Sequence, residues 1–291
     1  MCEGVLIPLN KPGKEAIAKN TRPITLLNIN RKLLSMIVLN RIYRIVDHYL
    51  PPAQSGFRRS RSTADVIWTY RWLMAIATKY QQEFHVMGID MSKAFDSINR
   101  EKLLNALRQL IREDEYRIIQ YLLSETTLTP RIKGTYGQTI RTTIGTPQGD
   151  ALSPILFAIY LETALKQHRA NRAASMNLLA QLNNTTVPES FYMETQYADD
   201  ADFIRCRRED HNFDEESLQL NMEPFNLTVN KEKTEHILIK DKTILSQRKL
   251  GSRLTPSEDL KIRMNLSTVA LKSYHKAWTN HLVSNETKIR M

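Results

Sequence analysis

The segment YADDADFI, Tyr197 to Ile204, sets three carboxylates among residues that otherwise read as strand, where Asp is disfavoured. A β-hairpin with Ala198 and Asp199 at its tip removes that conflict, because Asp is at home in a turn. Taken alone, the pair reads first as a solvated turn, as charge pairs on loops usually do. A further acid, Asp90, ends the apolar run FHVMGIDM. If the two strands are neighbours, Asp90, Asp199 and Asp200 converge. Three carboxylates within a few ångströms raise one another's pKa unless cations neutralise them, so such a cluster implies a hard divalent metal. Two Mg²⁺ ions about 3.5–4 Å apart serve in-line phosphoryl displacement, the chemistry of a polymerase or a nuclease. Asp90 by itself reads as readily as a turn or helix-capping acid.

Other stretches supply groups suited to a phosphorylated ligand. GTPQGDALSP, Gly145 to Pro154, places two glycines and a proline before an apolar helix, so its backbone can approach a ligand closely with the helix N-terminus facing it. A plain loop-to-helix connection fits it as well. Gln148 within it can hydrogen-bond a sugar hydroxyl or a base edge. TRPITLL carries Arg22, and QSGFRRSRS carries Arg58, Arg59 and Arg61; basic residues beside a metal site suit a triphosphate or a nucleic-acid backbone. A solvated basic face is the plainer alternative for each.

The elements that must position these groups follow from periodicity. Val5 to Leu9 reads as a short strand and KPGK as a turn. After Asn30 as cap, Leu33, Leu34, Ile37, Val38, Ile42, Ile45 and Val46 recur at helical spacing up to Pro51-Pro52. Ser62 caps a second helix with Val66, Ile67, Tyr70, Leu73, Met74 and Ala77 inward. Phe84 to Met91 is a buried strand, and Leu103, Leu104, Leu107, Leu110 and Ile111 mark the next helix. TPRIKGTYGQTIRTTIG is a hairpin pattern. Ser153-Pro154 opens a helix, ILFAIYLETAL, that is apolar on nearly every side and hence central. A polar segment from Gln167 to Pro188 follows, with a loop at Asn183 to Thr186. Then come the YADD hairpin, a polar helix near Asp214 to Met222, a strand at His236 to Lys240, and helical pattern from Ser257 with Leu260, Met264, Val269 and Leu271 apolar. Irregular alternation of strands and helices gives an α+β class, an antiparallel sheet backed by helices.

Composition narrows the partners. Forty-one Lys plus Arg against 31 Asp plus Glu leave a formal charge of +10 over 291 residues, which attracts an anionic partner, nucleic acid first. Cys2 and Cys206 have neither the count nor the spacing of a disulfide framework or a zinc site, which fits a reducing compartment. No apolar run approaches the ~20 residues of a membrane span, so the expected protein is soluble and intracellular, nuclear or cytoplasmic, with no membrane partner.

In order, RPITLL, QSGFR, GIDMSKAFDSI, GTPQGDALSPILF, YADD, LTVNKEKTE and KLGS resemble the successive motifs of a reverse transcriptase, in the style of the non-LTR (LINE-like) retrotransposon branch. The resemblance implies a right-hand polymerase, α+β, with fingers (1–85), a first palm strand (86–99), a fingers/palm connection (100–145), palm (146–254) and the start of a thumb (255–291). It implies that Asp90 and Asp199 bind two Mg²⁺ ions, or Mn²⁺ in their place, with Met91 adding its backbone carbonyl and Asp200 as a supporting acid. Phe95 falls where the family keeps a ring beneath the sugar, Lys93 and Ala94 where backbone amides meet the triphosphate, and Arg22 and Arg58 where fingers residues hold phosphates. Gln148 would contact the sugar, and Lys233 would protonate the leaving pyrophosphate. Asp96 is expected to help cap the helix after it and Asp202 to point away from the site by strand alternation. The implied partners are an RNA template, a DNA primer and dNTPs, with further parts of a larger polyprotein beyond this chain and a weak template-primer grip without a complete thumb. A nucleic-acid-binding relic and a maturase-like RNA-binding role are the alternatives.

Overall fold

The computed structural model describes residues 3–11, 13, 15, 17, 20–124, 126–182, 192–240, 248–249, 252–253, 260–261, 264–265 and 268–269. They divide into two compact units, Met1–Val66 with Glu83–Leu238, and Ile67–Gln82 with Ile239–Met291. The first unit holds both principal sheets and the main core.

Apolar residues of FHVMGI form a strand (Phe84–Ile89) in which every residue but His85 is buried, as expected of a central strand covered on both faces. In chain order it is β3. Its neighbour is the second arm of the hairpin made by β7 (Tyr192–Tyr197) and β8 (Asp200–Arg205). The sheet runs β7-β8-β3 and then β9 (Glu235–Ile239). β8 lies antiparallel to both β7 and β3, with Ile89 opposite Ala201 and Tyr197 opposite Asp200. That register leaves Ala198 and Asp199 as a two-residue turn beside the end of β3, as the sequence indicated.

The other sheet joins β1 (Glu3–Asn10), β2 (Thr21–Leu27), β4 (Thr127–Ile132), β5 (Thr135–Tyr136) and β6 (Ile140–Arg141). Lys133 and Gly134, with φ of 50° and 90°, make the β4–β5 turn, the positive-φ pair that a tight hairpin needs. The β1–β4 pairing is parallel, a departure from an all-antiparallel sheet. Five helices lie between the paired strands in the chain, and such crossovers are what parallel neighbours require.

Those connecting helices are α1 (Ile29–Tyr49), α2 (Thr63–Tyr80) and, after a single short turn α3 (Ala94–Ser97), α4 (Arg100–Leu110), followed by α5 (Glu113–Ser124). The fifth was not foreseen, because EDEYRIIQYLLS follows Ile111 without a Gly or Pro break. Asn28, not Asn30, caps α1 by accepting from the Asn30 amide at 2.9 Å. The inward stripe of α1 also differs: Arg31, Ser35, Val38, Ile42 and Val46 are buried, whereas Leu33 and Ile37 are 59% and 49% exposed. A buried ion pair pulls Arg31 inward and so rotates the helix away from the purely apolar face. Ser62 does cap α2, its Oγ accepting from the Ala64 amide at 3.2 Å while Asp65 accepts from the Ser62 amide at 2.6 Å, a reciprocal cap.

The core centres on α6 (Ser153–Leu182), where Ile155 to Leu161 are all at most 3% exposed. At about 1.5–3 kcal/mol for each large side chain fully buried, these roughly two turns anchor the unit. The helix continues through the polar stretch to Leu182; the anticipated loop at Asn183 to Thr186 lies outside the described residues. On its far flank α7 (Arg208–Met222) joins through charge. Buried Arg205 pairs with Asp214 at 2.5 Å, and Arg172 of α6 reaches Asp214 at 2.9 Å and Asp210 at 3.2 Å.

In the second unit, Arg248–Lys249 (β10) and Ser252–Arg253 (β11) pair as a short hairpin, with Leu250 and Gly251 of KLGS outside the described residues. Helical turns occur at 260–261, 264–265 and 268–269, as the pattern from Ser257 implied. Leu260, Met264 and Val269 are 60–63% exposed; Leu271 is not among the described residues.

Candidate active site

Two structural features bring the acids together. β3 delivers Asp90 just past its last residue, and the β7–β8 turn presents Asp199 beside it. Burial pushes the Asp199 carboxyl above its ordinary pKa and the nearby Asp90 charge adds to the rise, while the Asp199 backbone N–H and Lys233 act against it. That coupling is what two carboxylates sharing one site produce. Asp200 behaves differently. It already belongs to the β8 ladder opposite Tyr197, and Asp90, Asp199 and Asp200 do not bring one oxygen each within 4.8 Å of one another. The electrostatic coupling that the site shows is that of Asp90 on Asp199. Asp202 points away as anticipated, 3% exposed and accepting from Thr195 Oγ1 at 3.0 Å.

The segment LTVNKEKTE fixes the Asp90 side of the pair. Asn230 donates its amide to the Asp90 carbonyl and Ser92 donates to the Thr228 carbonyl, both at 2.9 Å. These bonds flank an antiparallel bridge between Met91 and Val229, which leaves Met91 in the non-hydrogen-bonded position of the bridge. Its own carbonyl points away from that segment, to the other edge of its strand. Lys233, in the turn that follows, donates from Nζ to Asp90 Oδ2 at 2.7 Å. Lys233 is 57% exposed and the Asp90 side chain 27%, so the pair stays open to solvent.

After Asp90 the chain turns sharply at Lys93, with φ of 51°, into α3, whose first amide is that of buried Ala94. The Phe95 ring packs on Phe157 of α6, centroids 4.8 Å apart. Asp96 does not cap the following helix. Asn99 does, accepting from the Lys102 amide at 3.1 Å, while Asp96 lies inside α3 and accepts from Gln148 Nε2 at 3.1 Å. Burial raises the Asp96 pKa, with the Gln148 hydrogen bond opposing it.

The GTPQG turn is clamped between this short helix and β2. Thr146 donates to Phe95 O at 2.9 Å and Thr25 donates to Gln148 O at 2.7 Å. At Gly145, φ is 72° and an added Cβ would stand 2.9 Å from the Asp96 backbone, so a side chain is excluded twice over. Asp150 accepts from Arg31 Nε at 3.1 Å with both side chains buried, and Ser153 Oγ donates to the Pro147 carbonyl at 2.7 Å as α6 begins. A cavity of about 340 Å³ beside the turn is lined by Pro23, Thr25, Asp96, Arg141 and Gln148, without Asp90 or Asp199.

Arg22 sits exposed on β2 opposite Leu9. Arg58 departs from its expected role. Its guanidinium pairs with Asp47 at 2.7 Å and also donates to the carbonyls of Asp47, Pro51 and Gln54 at 2.9, 2.8 and 3.2 Å, which commits it to holding its own loop. What QSGFR does supply is Gln54, missed because a lone Gln carries little sequence signal. Its Oε1 accepts from the amides of Gly56 and Ala198 at 2.8 and 3.1 Å, and its Nε2 donates to the Ala198 carbonyl at 3.4 Å. The Ser55 amide and the Gln196 amide exchange bonds with Gln196 O and Ala53 O at 2.8 and 2.9 Å. This loop thus braces the turn that carries Asp199.

The family model described as "Reverse transcriptase (RNA-dependent DNA polymerase)" matches residues 9–282. A Pol polyprotein from the type-1 retrotransposable element R2 of Popillia japonica is 33% identical over 55% of this chain and 22% of its own length. A probable RNA-directed DNA polymerase from transposon BS of Drosophila melanogaster is 27% identical over 53% of this chain and 17% of its own. The chain spans about a fifth of the length of these curated relatives. Telomerase from Candida Tropicalis, solved with a TWJ fragment of telomeric RNA, superposes with a TM-score of 0.62 at 14% identity, covering 87% of this chain and 43% of that one, a likeness of fold. With a family match over most of its length and the acid-bearing hairpin beside β3, the chain belongs to the reverse transcriptase family.

Proposed function

We propose that this chain is an RNA-directed DNA polymerase module that extends a DNA primer on an RNA template with dNTPs. The single observation that carries this reading is the Asp90–Asp199 pair, two carboxylates on adjoining backbone segments in which burial and the Asp90 charge raise the cost of ionising Asp199. Two carboxylates and a backbone carbonyl are hard oxygen donors of the kind that magnesium prefers, so Asp90, Asp199 and the Met91 carbonyl fit a pair of such ions. When bound, these ions lower the pKa of the primer 3′-hydroxyl and neutralise charge on the leaving pyrophosphate.

The chain's own residues take the remaining roles. Asp200 supports the turn. Arg22 attracts the triphosphate, and the amides of Lys93 and Ala94 donate to it. Phe95, backed by Phe157, gives the sugar a rigid floor that disfavours a 2′-hydroxyl. Gln148 lies near the sugar with its amide oriented by Asp96, so a single donor is held at a set angle. Lys233 balances Asp90 in the resting state and is placed to pass a proton to the departing pyrophosphate. Arg58 is assigned to the loop and not to the nucleotide.

Primer extension with dTTP on a poly(rA)/oligo(dT) duplex tests the reading, with Asp199→Ala beside the unaltered chain and Mg²⁺ supplied. Extension only by the unaltered chain is expected. Equal extension by both would overturn the role of Asp199, and extension by neither would leave a nucleic-acid-binding module without polymerisation.

A further inference from the structure

On the flank of the palm-like sheet away from the turn, α7 and β9 bring together two imidazoles and a carboxylate that the polymerase reading does not use. His211 and Glu215 stand four residues apart on α7, the spacing that puts two side chains on one helical face. His236 comes from β9. His211 Nε2 lies 3.0 Å from His236 Nδ1, and Glu215 Oε1 lies 3.5 Å from His236 Nε2. One ligand atom from each falls within 4.8 Å of the others. Two ring nitrogens at 3.0 Å share one proton at most, so at least one is a lone pair.

We propose that His211, Glu215 and His236 bind a zinc-type divalent cation. Two imidazoles with one carboxylate form a set that suits zinc, nickel or copper better than magnesium, which sets it apart in chemistry from the Asp90–Asp199 pair. Zinc with three protein ligands and one water is a common arrangement, with Zn–N of about 2.0–2.1 Å. Ligands on a tetrahedral ion at that distance lie about 3.3 Å apart, a modest contraction from the 4.8 Å within which one ligand atom of each residue already falls. His211 is the fixed member, 8% exposed and flanked by the His85 ring at 5.9 Å. His236 and Glu215 are 44% and 53% exposed, so both can turn one ligand atom toward a common centre.

The consequence reaches the active site through the chain itself. β9 begins two residues after Lys233, the partner of Asp90. An ion between α7 and β9 would pin the start of that strand, and with it the turn that sets Lys233. The site is structural in this reading and takes no part in phosphoryl transfer.

Zinc content after dialysis against zinc and desalting tests the proposal, with urea unfolding recorded for each protein with and without zinc. The unaltered chain and Asp90→Asn are expected to retain stoichiometric zinc and to gain stability from it. His236→Ala and Glu215→Gln alter half-exposed side chains, so both are expected to fold while losing the bound zinc and the stabilisation. The cobalt(II) form of the unaltered chain is expected to show the intense visible bands of tetrahedral nitrogen and oxygen ligation. Failure of the unaltered chain to retain zinc would overturn the proposal, as would undiminished zinc in both His236→Ala and Glu215→Gln. Loss of zinc in Asp90→Asn with retention in His236→Ala would assign the ion to the aspartates and overturn it equally.

Discussion

Gly56→Ala is the substitution that best isolates how the Asp199 turn is held. A Cβ at Gly56 would stand 2.2 Å from the Ala198 amide nitrogen and 2.9 Å from its Cα, against about 3.5 Å for an unstrained contact. The atoms in the way are backbone, so no side-chain rotation relieves the overlap. Either the QSG loop or the Ala198-Asp199 turn must move by about 1 Å. Both are tied by the Gln54 side chain and by the Ser55 and Gln196 amides, which makes movement of one a disturbance of the other.

Overpacking of this kind costs about 1–3 kcal/mol, and a shift of about 1 Å at reacting groups costs about 10²-fold in rate. The expected result is a lower urea midpoint and single-nucleotide extension slowed about 10²-fold, measured where the variant is fully folded. Gly137→Ala is the control: its Cβ would meet nothing closer than 3.7 Å, and a change within about 0.5 kcal/mol is expected. Gly56→Ala with unaltered stability and rate would refute the bracing role of this loop.

Three further outcomes follow from the geometry. Lys233→Ala removes the Asp90 partner and is expected to slow extension by about 10² or more; an unchanged extension rate would refute a role for Lys233 in the reaction. Arg31→Met leaves Asp150 buried without its cation and is expected to cost about 3–5 kcal/mol in urea unfolding, whereas Arg31→Met with Asp150→Leu recovers much of it. His168 is fully buried, and desolvation first, then Arg205, Arg172 and Arg169, lower its pKa from 6.5 to about 4. The unfolded chain therefore takes up a proton below about pH 6.5 that the folded chain refuses until about pH 4, so stability falls as pH drops through that window. Between pH 7 and 5 the unaltered chain should lose about 2 kcal/mol more than His168→Gln; parallel curves would show that His168 is not held neutral. Taking the difference between the two proteins cancels the buried carboxylates Asp214 and Glu194, whose raised pKa values act in the opposite direction.

Short-range signals made much of the site readable from the chain. Apolar runs gave β3 and the first turns of α6, and the conflict between Asp and strand in YADD located a turn at Ala198 and Asp199. What stayed hidden depends on partners far apart in sequence. Arg31 is 119 residues from Asp150 and sits on the inward face of α1 where periodicity alone puts Leu33 and Ile37. Gln54 is 144 residues from Ala198, and no local pattern announces that one amide will serve a turn from another element. Arg58 misled for the complementary reason: a basic residue in a polar loop looks available to a phosphate until the loop's own carbonyls and Asp47 are seen around it.

The motifs that looked like ligand-binding loops serve first as joints between elements. Gly56 lies against the backbone of the Asp199 turn and Gly145 against the backbone of α3, so each glycine marks where two main chains meet. Gln54 and Gln148 sit two and three residues from such a meeting point and use their amides on protein groups, Ala198 and Asp96 respectively. The proposed metal-binding pair needs this construction, because burial and the Asp90 charge both raise the cost of the Asp199 charge. Unfavourable charge at the end of a strand and in a two-residue turn would otherwise be relieved by opening the turn. The hydrogen bonds from Gln54 and Ser55 on one side, and from Asn230 and Lys233 on the other, oppose that opening. The loops therefore keep two like charges together before any cation arrives, which is the condition for binding metal without first paying to assemble its ligands.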